Sequence, residues 1–530
     1  MAEIGKCSGN IPLFSDIEEK SFDIMENSAA AFVHRFETKQ NKYIYDVNTM
    51  KIVRANPVVW EIIGDFGVLS KEDIFSKYCG KYSIAEISAA CDEISKTQQE
   101  RNLFLAKRPQ IELTLTEEEI SQRLGSKRRM LILLVTENCN FRCCYCVYSG
   151  GYAGRHTCSK RKMKWSTAKK GIDCFMQQSG DVQSRDIGFY GGEPLLNLPL
   201  IKRCVGYVRK SNLGKDIIFS ITTNGSLLTG EAADFLAAEN FSIVVSIDGP
   251  EEVHDRYRRC KNGLPTWQSV KSNIKALLEK YPQYRTNDKL SFGMVMAPPL
   301  DIDILDKFLV SCDLFGRHTG LSAFFLDQAE NKINLAGKIT GLDSLHEKFV
   351  DNLAAGRINF DVSASVYRLQ RSIYEQNWIF FHKRFQIYQC HIHNHTNFPE
   401  RFCSLSTCVP GIHRSYLSVD GSYWSCERVP ESEYMKIGDV ERGFDIPKIR
   451  RILSDWVELT KNQCRYCWCL HTCKVGCWSD VCDGEKPTEL LKKKACKGYR
   501  RLAHEMLVDY CSVLEKNPHA LDYMADITLS

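Results

Sequence analysis

The chain has 530 residues, which exceeds one ordinary domain and predicts roughly two to four folded units. Its apolar fraction of 44% and charged fraction of 25% are typical of a globular protein, and the formal net charge of +5 is modest for this length. No segment approaches the ~18 consecutive apolar residues of a membrane span, and residues 1–12 lack the apolar core of a signal peptide. We therefore expect a cytoplasmic protein that has no membrane partner.

The cysteine and basic residues indicate whether the protein binds metal or nucleic acid. The chain contains 24 cysteines, which in a large cytoplasmic protein indicate metal binding rather than disulfides. Its basic runs, at residues 127–129, 160–162 and 492–494, lack the interleaved aromatic residues of a nucleic-acid groove. We expect these runs to be solvated faces, and we expect no nucleic-acid partner.

After a tail at residues 1–29, residues 30–103 are predicted to form a small α+β unit. Strand patterns at 31–37, 42–46 and 51–55 precede helical patterns at 58–67, 70–78 and 83–103. This order resembles the winged-helix-like domain that recognises the leader of ribosomally made peptides in many modifying enzymes. The resemblance implies that a leader peptide adds a strand to the sheet edge. The alternative is a wing that only packs on the next unit, which follows a linker predicted at residues 104–128.

From residue 129 to 330, strand and helix patterns alternate. Strands are predicted at residues 130–135, 186–190, 216–222, 241–247, 290–296 and 321–326. Alternating βα units imply a parallel sheet with right-handed crossovers, and six such units make an α/β fold with a partial, open (βα)6 barrel. The polar motifs fall at the carboxyl ends of these strands, where such folds place their sites.

Three cysteines follow the first barrel strand. Cys139, Cys143 and Cys146 have the spacing C-x3-C-x2-C, whereas the neighbouring Cys144 fits no ligand spacing and is predicted to pack. Three thiolates are one fewer than normally close a [4Fe–4S] cluster, so one iron would stay open to a substrate or cofactor. A zinc knuckle, or cysteines that only pack, is the alternative.

Two motifs resemble those of the radical S-adenosylmethionine (SAM) enzymes: this cysteine loop, and the Gly-Gly-Glu-Pro segment at residues 191–194. By that resemblance, SAM chelates the open iron and electron transfer cleaves it to a 5′-deoxyadenosyl radical. Stretches after the third and fourth strands also resemble SAM contacts, although alone they would be turns. The implied SAM contacts are Tyr148, Gly191, Gly192, Glu193, Pro194, Thr223, Asn224, Ser246 and Asp248. His254, Asp255 and Arg258 resemble a loop of peptide-modifying members, and no role is assigned to them.

A second group of cysteines lies at residues 401–500, beyond a helical bridge predicted at 331–400 with helices at 342–356 and 364–385. The group consists of Cys408, Cys426, Cys464, Cys467, Cys473, Cys477 and Cys496. With Gly421, it matches the seven-cysteine pattern of the SPASM domain, the extension of radical SAM enzymes that modify peptides and proteins. A pair of zinc ribbons would favour two close pairs in each set of four ligands, whereas Cys473 and Cys477 are separated by three residues. A closing helix is predicted at 500–514, within a C-terminal segment at 501–530.

The SPASM resemblance implies two auxiliary [4Fe–4S] clusters. The first cysteine set comprises Cys408, Cys426 and Cys477; the second comprises Cys464, Cys467, Cys473 and Cys496. The fourth ligand of the first set is left open between Cys403, the weaker candidate Cys390 and a substrate thiolate. Glu427 stands where sulfatase-maturing relatives carry an Asp base, which makes it the candidate catalytic residue. In the bridge, histidines occupy every second position at His391, His393 and His395. They are either surface residues or a metal site.

These features together predict a maturase that abstracts hydrogen from a precursor peptide and forms thioether crosslinks at its cysteines. The implied cofactors are three [4Fe–4S] clusters and SAM. The implied partners are a precursor peptide with a leader and an electron donor of the flavodoxin or ferredoxin type. The alternatives are a formylglycine-generating sulfatase maturase, and an enzyme that makes carbon–carbon crosslinks or epimerises a peptide. A non-enzymatic iron–sulfur or zinc protein would leave residues 191–194 unexplained.

Overall fold

The computed structural model describes residues 27–180, 182, 184–211, 216–316, 319–326, 335–357, 368–375, 400–402, 408–473 and 475–524. Cys403, Cys390, the three bridge histidines and most of the helix expected at 364–385 lie outside these residues. Within the described part of the chain, no helix combines the length and the apolar character that a membrane crossing requires.

The N-terminal unit has the predicted order of three strands and three helices. The elements are β1 (Val33–Glu37), β2 (Lys42–Asp46), β3 (Lys51–Arg54), α1 (Pro57–Ile62), α2 (Lys71–Tyr78) and α3 (Ile84–Arg101). The strands form an antiparallel sheet in the order β1-β2-β3. Ser83 and Glu86 form the predicted capping box at the start of α3, which satisfies main-chain donors of its first turn. The unit has its own apolar core, in which Ile44, Ile62 and Ile87 are fully buried.

The segment expected to be a linker contains a two-residue strand and a helix. These are β4 (Gln110–Ile111) and α4 (Glu117–Ser126). Thr116 and Glu119 form a capping box, and Ile120 and Leu124 are buried in the main core. The T-x-x-E signal for this helix was present in the sequence, and the linker predicted at residues 104–128 therefore includes a helix.

The central sheet has six parallel strands, which occupy the predicted positions to within one or two residues. They are β5 (Met130–Thr136), β6 (Arg185–Gly191), β7 (Ile217–Thr223), β8 (Ser242–Ser246), β9 (Leu290–Met296) and β11 (Gly320–Phe325). The helices between them are α5 (Trp165–Gln177), α6 (Leu198–Lys210), α7 (Gly230–Ala238), α8 (Glu251–Tyr257), α9 (Trp267–Lys280) and α10 (Ile302–Ser311). Neighbouring strands follow chain order, as a (βα)6 barrel requires.

The C-terminal module continues the same sheet. Its strands are β13 (Arg401–Phe402), β14 (Arg414–Leu417), β15 (Ser422–Trp424), β16 (Gly438–Asp439) and β17 (Gly443–Phe444). Strand β14 pairs in parallel with β5, with Leu417 opposite Leu133, so a ten-stranded sheet runs from β11 to β17. Two short parallel pairs complete the strands: β13 with β4, and β10 (Leu300–Asp301) with β12 (Ile339–Thr340).

Helices of the C-terminal half surround this extension. They are α11 (Leu342–Ala354), the short α12 (Arg368–Gln370), α13 (Ile446–Cys464), α14 (Trp478–Val481) and α15 (Glu489–Lys516). The closing helix therefore begins at Glu489 rather than at residue 500, because Thr488 accepts a hydrogen bond from the Leu491 N–H and caps it. This earlier start places Cys496 inside a helix.

Two of the basic runs are not wholly solvated, contrary to expectation. Arg128 is 0% exposed and Lys492 is 2% exposed. The Arg128 guanidinium donates to Gln178 Oε1 at 3.0 Å and to Ser415 Oγ at 2.6 Å, so it joins the barrel to the C-terminal module. A buried cation is tolerated when hydrogen-bond acceptors replace the lost water, which composition alone does not reveal.

The N-terminal sheet rests on the closing helix through one of its faces. Glu515 Oε1 accepts hydrogen bonds from Thr38, Asn41 and Tyr43, at 2.9, 2.6 and 2.8 Å. The His34 ring stacks on the Trp468 ring, with centroids 3.6 Å apart. These contacts lie on one face of the sheet, whose two edge strands are β1 and β3.

Candidate active site

The three cysteines of the predicted cluster loop, residues 137–148, lie close together at the carboxyl end of β5. Burial is the main reason that the pKa of both Cys139 and Cys143 is raised to about 12, and the charges of neighbouring thiols, including Cys146, contribute to this rise. The N–H groups of Phe141 and Tyr148 point at Cys139 Sγ and Cys146 Sγ, at 3.4 and 3.5 Å. Buried thiols that already accept N–H donors fit a group that binds them as thiolates, as an iron–sulfur cluster does.

The Gly-Gly-Glu-Pro segment is bonded to the main chain of the cluster loop. Gly192 N donates to Thr136 O at 2.9 Å, and Glu193 N donates to Asn138 O at 2.8 Å. A Cβ at Gly192 would collide with the Asn138 carbonyl, and Gly191 has a φ of +152°. The sequence interpretation was that these glycines admit a ligand; the structure shows that they admit the cluster loop itself.

Glu193 is fully buried and its carboxylate accepts from the protein. Oε1 accepts from Leu195 N at 3.1 Å and from Thr223 Oγ1 at 2.8 Å, and Oε2 accepts from Asn224 N at 2.8 Å. Burial raises the pKa of Glu193 to about 7, against the effect of these donors. The carboxylate therefore ties the ends of β6 and β7 together, and its implied contact with SAM stays a prediction. Pro194 begins the short turn that follows.

Asn224 connects the third barrel strand to the cluster loop. Its Nδ2 donates to Asn140 Oδ1 at 2.9 Å and lies 3.8 Å from Cys139 Sγ. Thr223 and Asn224 are both buried, while Ser246, at the end of β8, is half-buried. The structure thus brings these predicted residues to one edge of the sheet, and their contacts with SAM stay a prediction.

Asp248 forms a buried ion pair beside the cluster loop. Its Oδ2 accepts from Arg258 Nε at 2.9 Å and from the hydroxyl of Tyr145, and its Oδ1 accepts from Val295 N at 3.0 Å. Arg258 Nη1 lies 4.0 Å from Cys143 Sγ. Asp248 was predicted as a SAM contact, which stays a prediction, and both of its oxygens have protein partners here. The sequence missed Tyr145, which lies inside the cysteine loop.

The neighbouring loop residues His254 and Asp255 have structural contacts. Asp255 Oδ1 accepts from Thr266 N at 2.7 Å and from Trp267 N at 2.9 Å, which caps α9. His254 Nε2 lies 3.1 Å from Thr266 Oγ1, and burial lowers the pKa of His254 to about 4. The loop that follows β8 is therefore held by neutral and paired groups.

A buried polar network joins the barrel to the segment after Cys426. Tyr148 is 3% exposed and stacks on His156, with ring centroids 4.1 Å apart. His156 Nδ1 lies 2.6 Å from Glu431 Oε1, and Arg155 Nη1 donates to the Glu427 carbonyl at 3.2 Å. Tyr148 was predicted as a SAM contact, whereas His156 and Glu431 were not singled out, because nothing in the sequence links two residues so far apart.

Glu427 lies within this junction. Its Oε1 accepts from Arg414 Nη1 at 2.8 Å, and its buried Oε2 has no hydrogen-bond partner among the described residues. Burial, and then the charges of Glu427 and Cys146, raise the pKa of Tyr190. Tyr190 therefore faces both the cluster loop and the candidate catalytic carboxylate.

The first cysteine set is partly described. Burial is the main reason that the pKa of Cys426 is raised to about 12, and the charges of Glu427 and Cys477 contribute to the rise, so Cys477 is a neighbour. Cys408 is exposed, and its carbonyl accepts from Trp478 Nε1 at 3.2 Å, next to Cys477. Cys403, the candidate fourth ligand, lies outside the described residues.

The second cysteine set converges. Burial raises the pKa of Cys473, and Cys496, Cys467 and Cys464 raise it further. Burial raises the pKa of Cys496 to about 12, against the charge of Lys492. Among the described His, Cys, Asp and Glu side chains, no group of three has the close spacing that a single metal ion requires. A four-iron cluster binds each thiolate to a different iron, which spaces its ligands more widely.

The comparisons with known proteins match the central region. Residues 133–308 match the model of the Radical SAM superfamily. Over 150 residues the chain is 31% identical to a cysteine-type anaerobic sulfatase-maturating enzyme of Clostridium novyi, which is 28% of this chain and 40% of that protein. Over 161 residues it is 27% identical to the radical SAM cyclopropyl synthase TigE of Paramaledivibacter caminithermalis, which is 29% of this chain and 33% of that protein.

Among solved structures, native anSMEcpe with bound AdoMet aligns with a TM-score of 0.49 and 18% identity, covering 75% of this chain and 100% of that chain. The likeness is too distant to carry an argument about function. Residues 133–308 thus form a radical SAM domain, and that superfamily implies a [4Fe–4S] cluster and SAM. The chain spans less than half the length of the two curated relatives, so its particular reaction and substrate are matters of proposal.

Proposed function

We propose that this protein is a peptide maturase that abstracts hydrogen from a ribosomally made precursor peptide and joins a cysteine sulfur to the resulting carbon. The observation that carries the proposal is the direct contact between the loop after the cluster cysteines and the segment after Cys426. Arg155 donates to the Glu427 carbonyl, and His156 pairs with Glu431. A peptide bound at this junction would be within reach of both cysteine-rich regions.

In this proposal Cys139, Cys143 and Cys146 hold the SAM-binding cluster, and the two C-terminal sets hold auxiliary clusters. When bound, these groups supply the hydrogen-abstracting radical and an acceptor for the electron released as sulfur bonds the carbon. The protein supplies a base for the thiol proton. The buried and unpartnered Oε2 of Glu427, beside Cys426, is suited to accept it.

The peptide partner is proposed to bind through its leader at strand β3. Strand β3 is an edge strand of the N-terminal sheet, with β2 as its neighbour on one side. Ala55 N donates to Lys42 O, so by the alternation of an antiparallel ladder the N–H groups of Ile52 and Arg54 point away from β2. These donors can pair with an added strand. An electron donor of the flavodoxin or ferredoxin type would reduce the SAM-binding cluster.

Sulfatase maturation is the second candidate. The similarity to a sulfatase-maturating enzyme favours it, as does the carboxylate directly after Cys426. The N-terminal unit favours the peptide maturase, because it lies outside the matched superfamily region and offers an edge strand for a leader.

The reaction is tested by mass spectrometry after alkylation. The full-length enzyme is incubated with SAM, a reductant and a cysteine-containing precursor peptide encoded beside its gene. A thioether removes two hydrogens, so the product mass should fall by about two daltons per crosslink and one alkylatable thiol should vanish with each. Formylglycine would lose the cysteine sulfur, epimerisation would leave the mass unchanged, and a carbon–carbon crosslink would retain every thiol. Any of these three results would contradict thioether formation.

Leader binding at β3 is tested with Arg54→Pro, which removes one outward N–H without removing a bond to β2. We expect peptide affinity to fall about 3- to 10-fold, the worth of one main-chain hydrogen bond. Arg54→Ala is the control for the lost side chain. Equal affinity of the Pro and Ala variants, measured by fluorescence anisotropy with a labelled leader, would place the leader elsewhere.

A further inference from the structure

The closing helix α15 presents two cations on either side of one predicted cluster ligand. Lys492, Cys496 and Arg500 are spaced four residues apart, which places them on one face of the helix. Lys492 is 2% exposed and Arg500 is 8% exposed. Both charged side chains are thus buried on the face that carries Cys496 into the second cysteine set.

Neither cation is neutralised by the described part of the protein. No described carboxylate lies within ion-pair distance of Lys492 or Arg500, and the Lys492 Nζ instead donates to the amide oxygen of Gln463. The Nε and Nη1 atoms of Arg500 are buried without a hydrogen-bond partner. Burying unpaired charge is costly, so the folded chain is incomplete at this point unless an anion sits there.

The second cysteine set provides the place for such an anion. The charge of Arg500 acts on Cys467, Cys469 and Cys496, and the charge of Lys492 acts on Cys467 and Cys496. A [4Fe–4S] cluster bound by four thiolates carries a net negative charge, and each added electron makes it more negative. The orphaned guanidinium atoms and the buried ammonium therefore fit a four-thiolate cluster in charge and in position.

We propose that Lys492 and Arg500 are the charge-compensating residues of the second auxiliary cluster and hold its reduction potential above the value that four thiolates alone would give. This inference rests on the cofactor set of the proposed function. Reduction adds one electron to the cluster, with no bond broken and no proton moved at either residue. Nearby positive charge favours the more negative, reduced form by Coulomb attraction, which in a buried site is weakly screened.

The test uses reductive titration of the full-length, reconstituted protein, followed by electron paramagnetic resonance, with iron counted per chain. A variant in which Cys464, Cys467, Cys473 and Cys496 are all Ala identifies the signal of the second auxiliary cluster by its loss. Arg500→Gln and Lys492→Met should each shift the midpoint potential of that signal to a lower value and leave the other signals in place. The chain offers matched controls one residue away. Arg501→Gln and Lys493→Met remove the same charges from the same helix, at residues paired with Glu505 and Glu489.

An unchanged potential in Arg500→Gln with full iron content, or an equal shift in the control variants, would overturn the proposal. If Arg500→Gln loses the cluster instead, the Arg500→Lys variant distinguishes compensation by charge from packing. Retention of iron by the Lys variant supports compensation by charge, whereas loss in both variants means that the side chain only packs and overturns it. A quadruple Ala variant that keeps all of the wild-type iron would refute the proposed cofactor set itself, which separates that failure from this one.

Discussion

The cluster loop and the second cysteine set balance their buried thiols in different ways. Beside the loop, the one cation near Cys143 is Arg258, and its charge is already met by Asp248 at 2.9 Å. Around the second set, Lys492 and Arg500 have no such carboxylate among the described residues. In the proposed cofactor set, the three-thiolate site would be completed by SAM, which brings its own charges, whereas the four-thiolate site would depend on the protein for compensation. The protein therefore sets the charge of each region separately.

The largest expected effect comes from removing the thiols of the loop. In the variant with Cys139, Cys143 and Cys146 all changed to Ala, reductive cleavage of SAM to 5′-deoxyadenosine should be abolished. The C-terminal sets should still bind about eight of an expected twelve or so irons per chain. Chromatography of the nucleoside and an iron assay provide the measurements. Residual SAM cleavage in this variant would mean that the loop does not hold the SAM-binding cluster.

The second-largest effect is expected for the buried ion pair between Arg258 and Asp248, beside the cluster loop. Arg258→Met should destabilise the protein by about 3 kcal/mol, because it leaves the buried Asp248 carboxylate without its cation. The double variant Asp248→Asn, Arg258→Met should recover part of that loss, as measured by denaturant unfolding. Arg256→Met, an exposed arginine of the same helix, is the control. A double variant that is less stable than Arg258→Met would show that the pair does not act as a unit.

The third effect is expected at Arg128, which joins the barrel to the C-terminal module. Arg128→Met should lower the free energy of unfolding by about 2 kcal/mol, since it removes two charge-assisted hydrogen bonds, of which the one to Ser415 crosses the junction. Lys127→Met, at the exposed neighbouring residue, should change it by less than about 0.5 kcal/mol. Equal effects of the two substitutions in thermal unfolding would contradict the role given to Arg128.

The smallest effect is expected at the far face of α15. Burial lowers the pKa of His346, but the 2.7 Å contact and charge of Asp509 outweigh it, so the pKa is raised above 6.5. The folded protein binds this proton more tightly than the unfolded chain does. Its stabilisation is therefore complete below pH 6.5 and is lost as the pH rises through the raised pKa. The stability gap to His346→Gln, about 0.5–1 kcal/mol, should shrink between pH 6 and 9. A gap that does not change with pH would exclude this linkage.

Sequence patterns predicted the strands well because buried parallel strands are near-continuous apolar runs, as Met130–Thr136, buried at six of its seven residues, illustrates. They predicted which loops would meet, since the carboxyl ends of parallel strands share one edge. They could not predict the partners within those loops. The contact of Tyr145 with Asp248, and that of His156 with Glu431, depend on how distant segments pack, and no spacing rule encodes this.

Two helical features were within reach of the sequence and were missed. The capping box at Thr116 and Glu119 marks a helix in the expected linker. Beginning the closing helix at Glu489 would have placed Lys492 and Arg500 on the face of Cys496. The lysine run at residues 492–494 was instead predicted to be a solvated face, because composition does not distinguish a buried cation beside a cysteine from an exposed cation.

The pairing of β14 with β5 has a consequence for biosynthesis. Strand β5 is almost entirely buried, with Leu131 and Leu133 0% exposed, and β14 occupies its free side in the sheet. A nascent chain that has completed the barrel strands but not residues 414–417 presents this apolar strand with unpaired main-chain groups. Such an edge can recruit strands from other chains. Release of the barrel without its C-terminal module should therefore yield aggregates, and the chain depends on late-synthesised residues to protect one of its earliest strands.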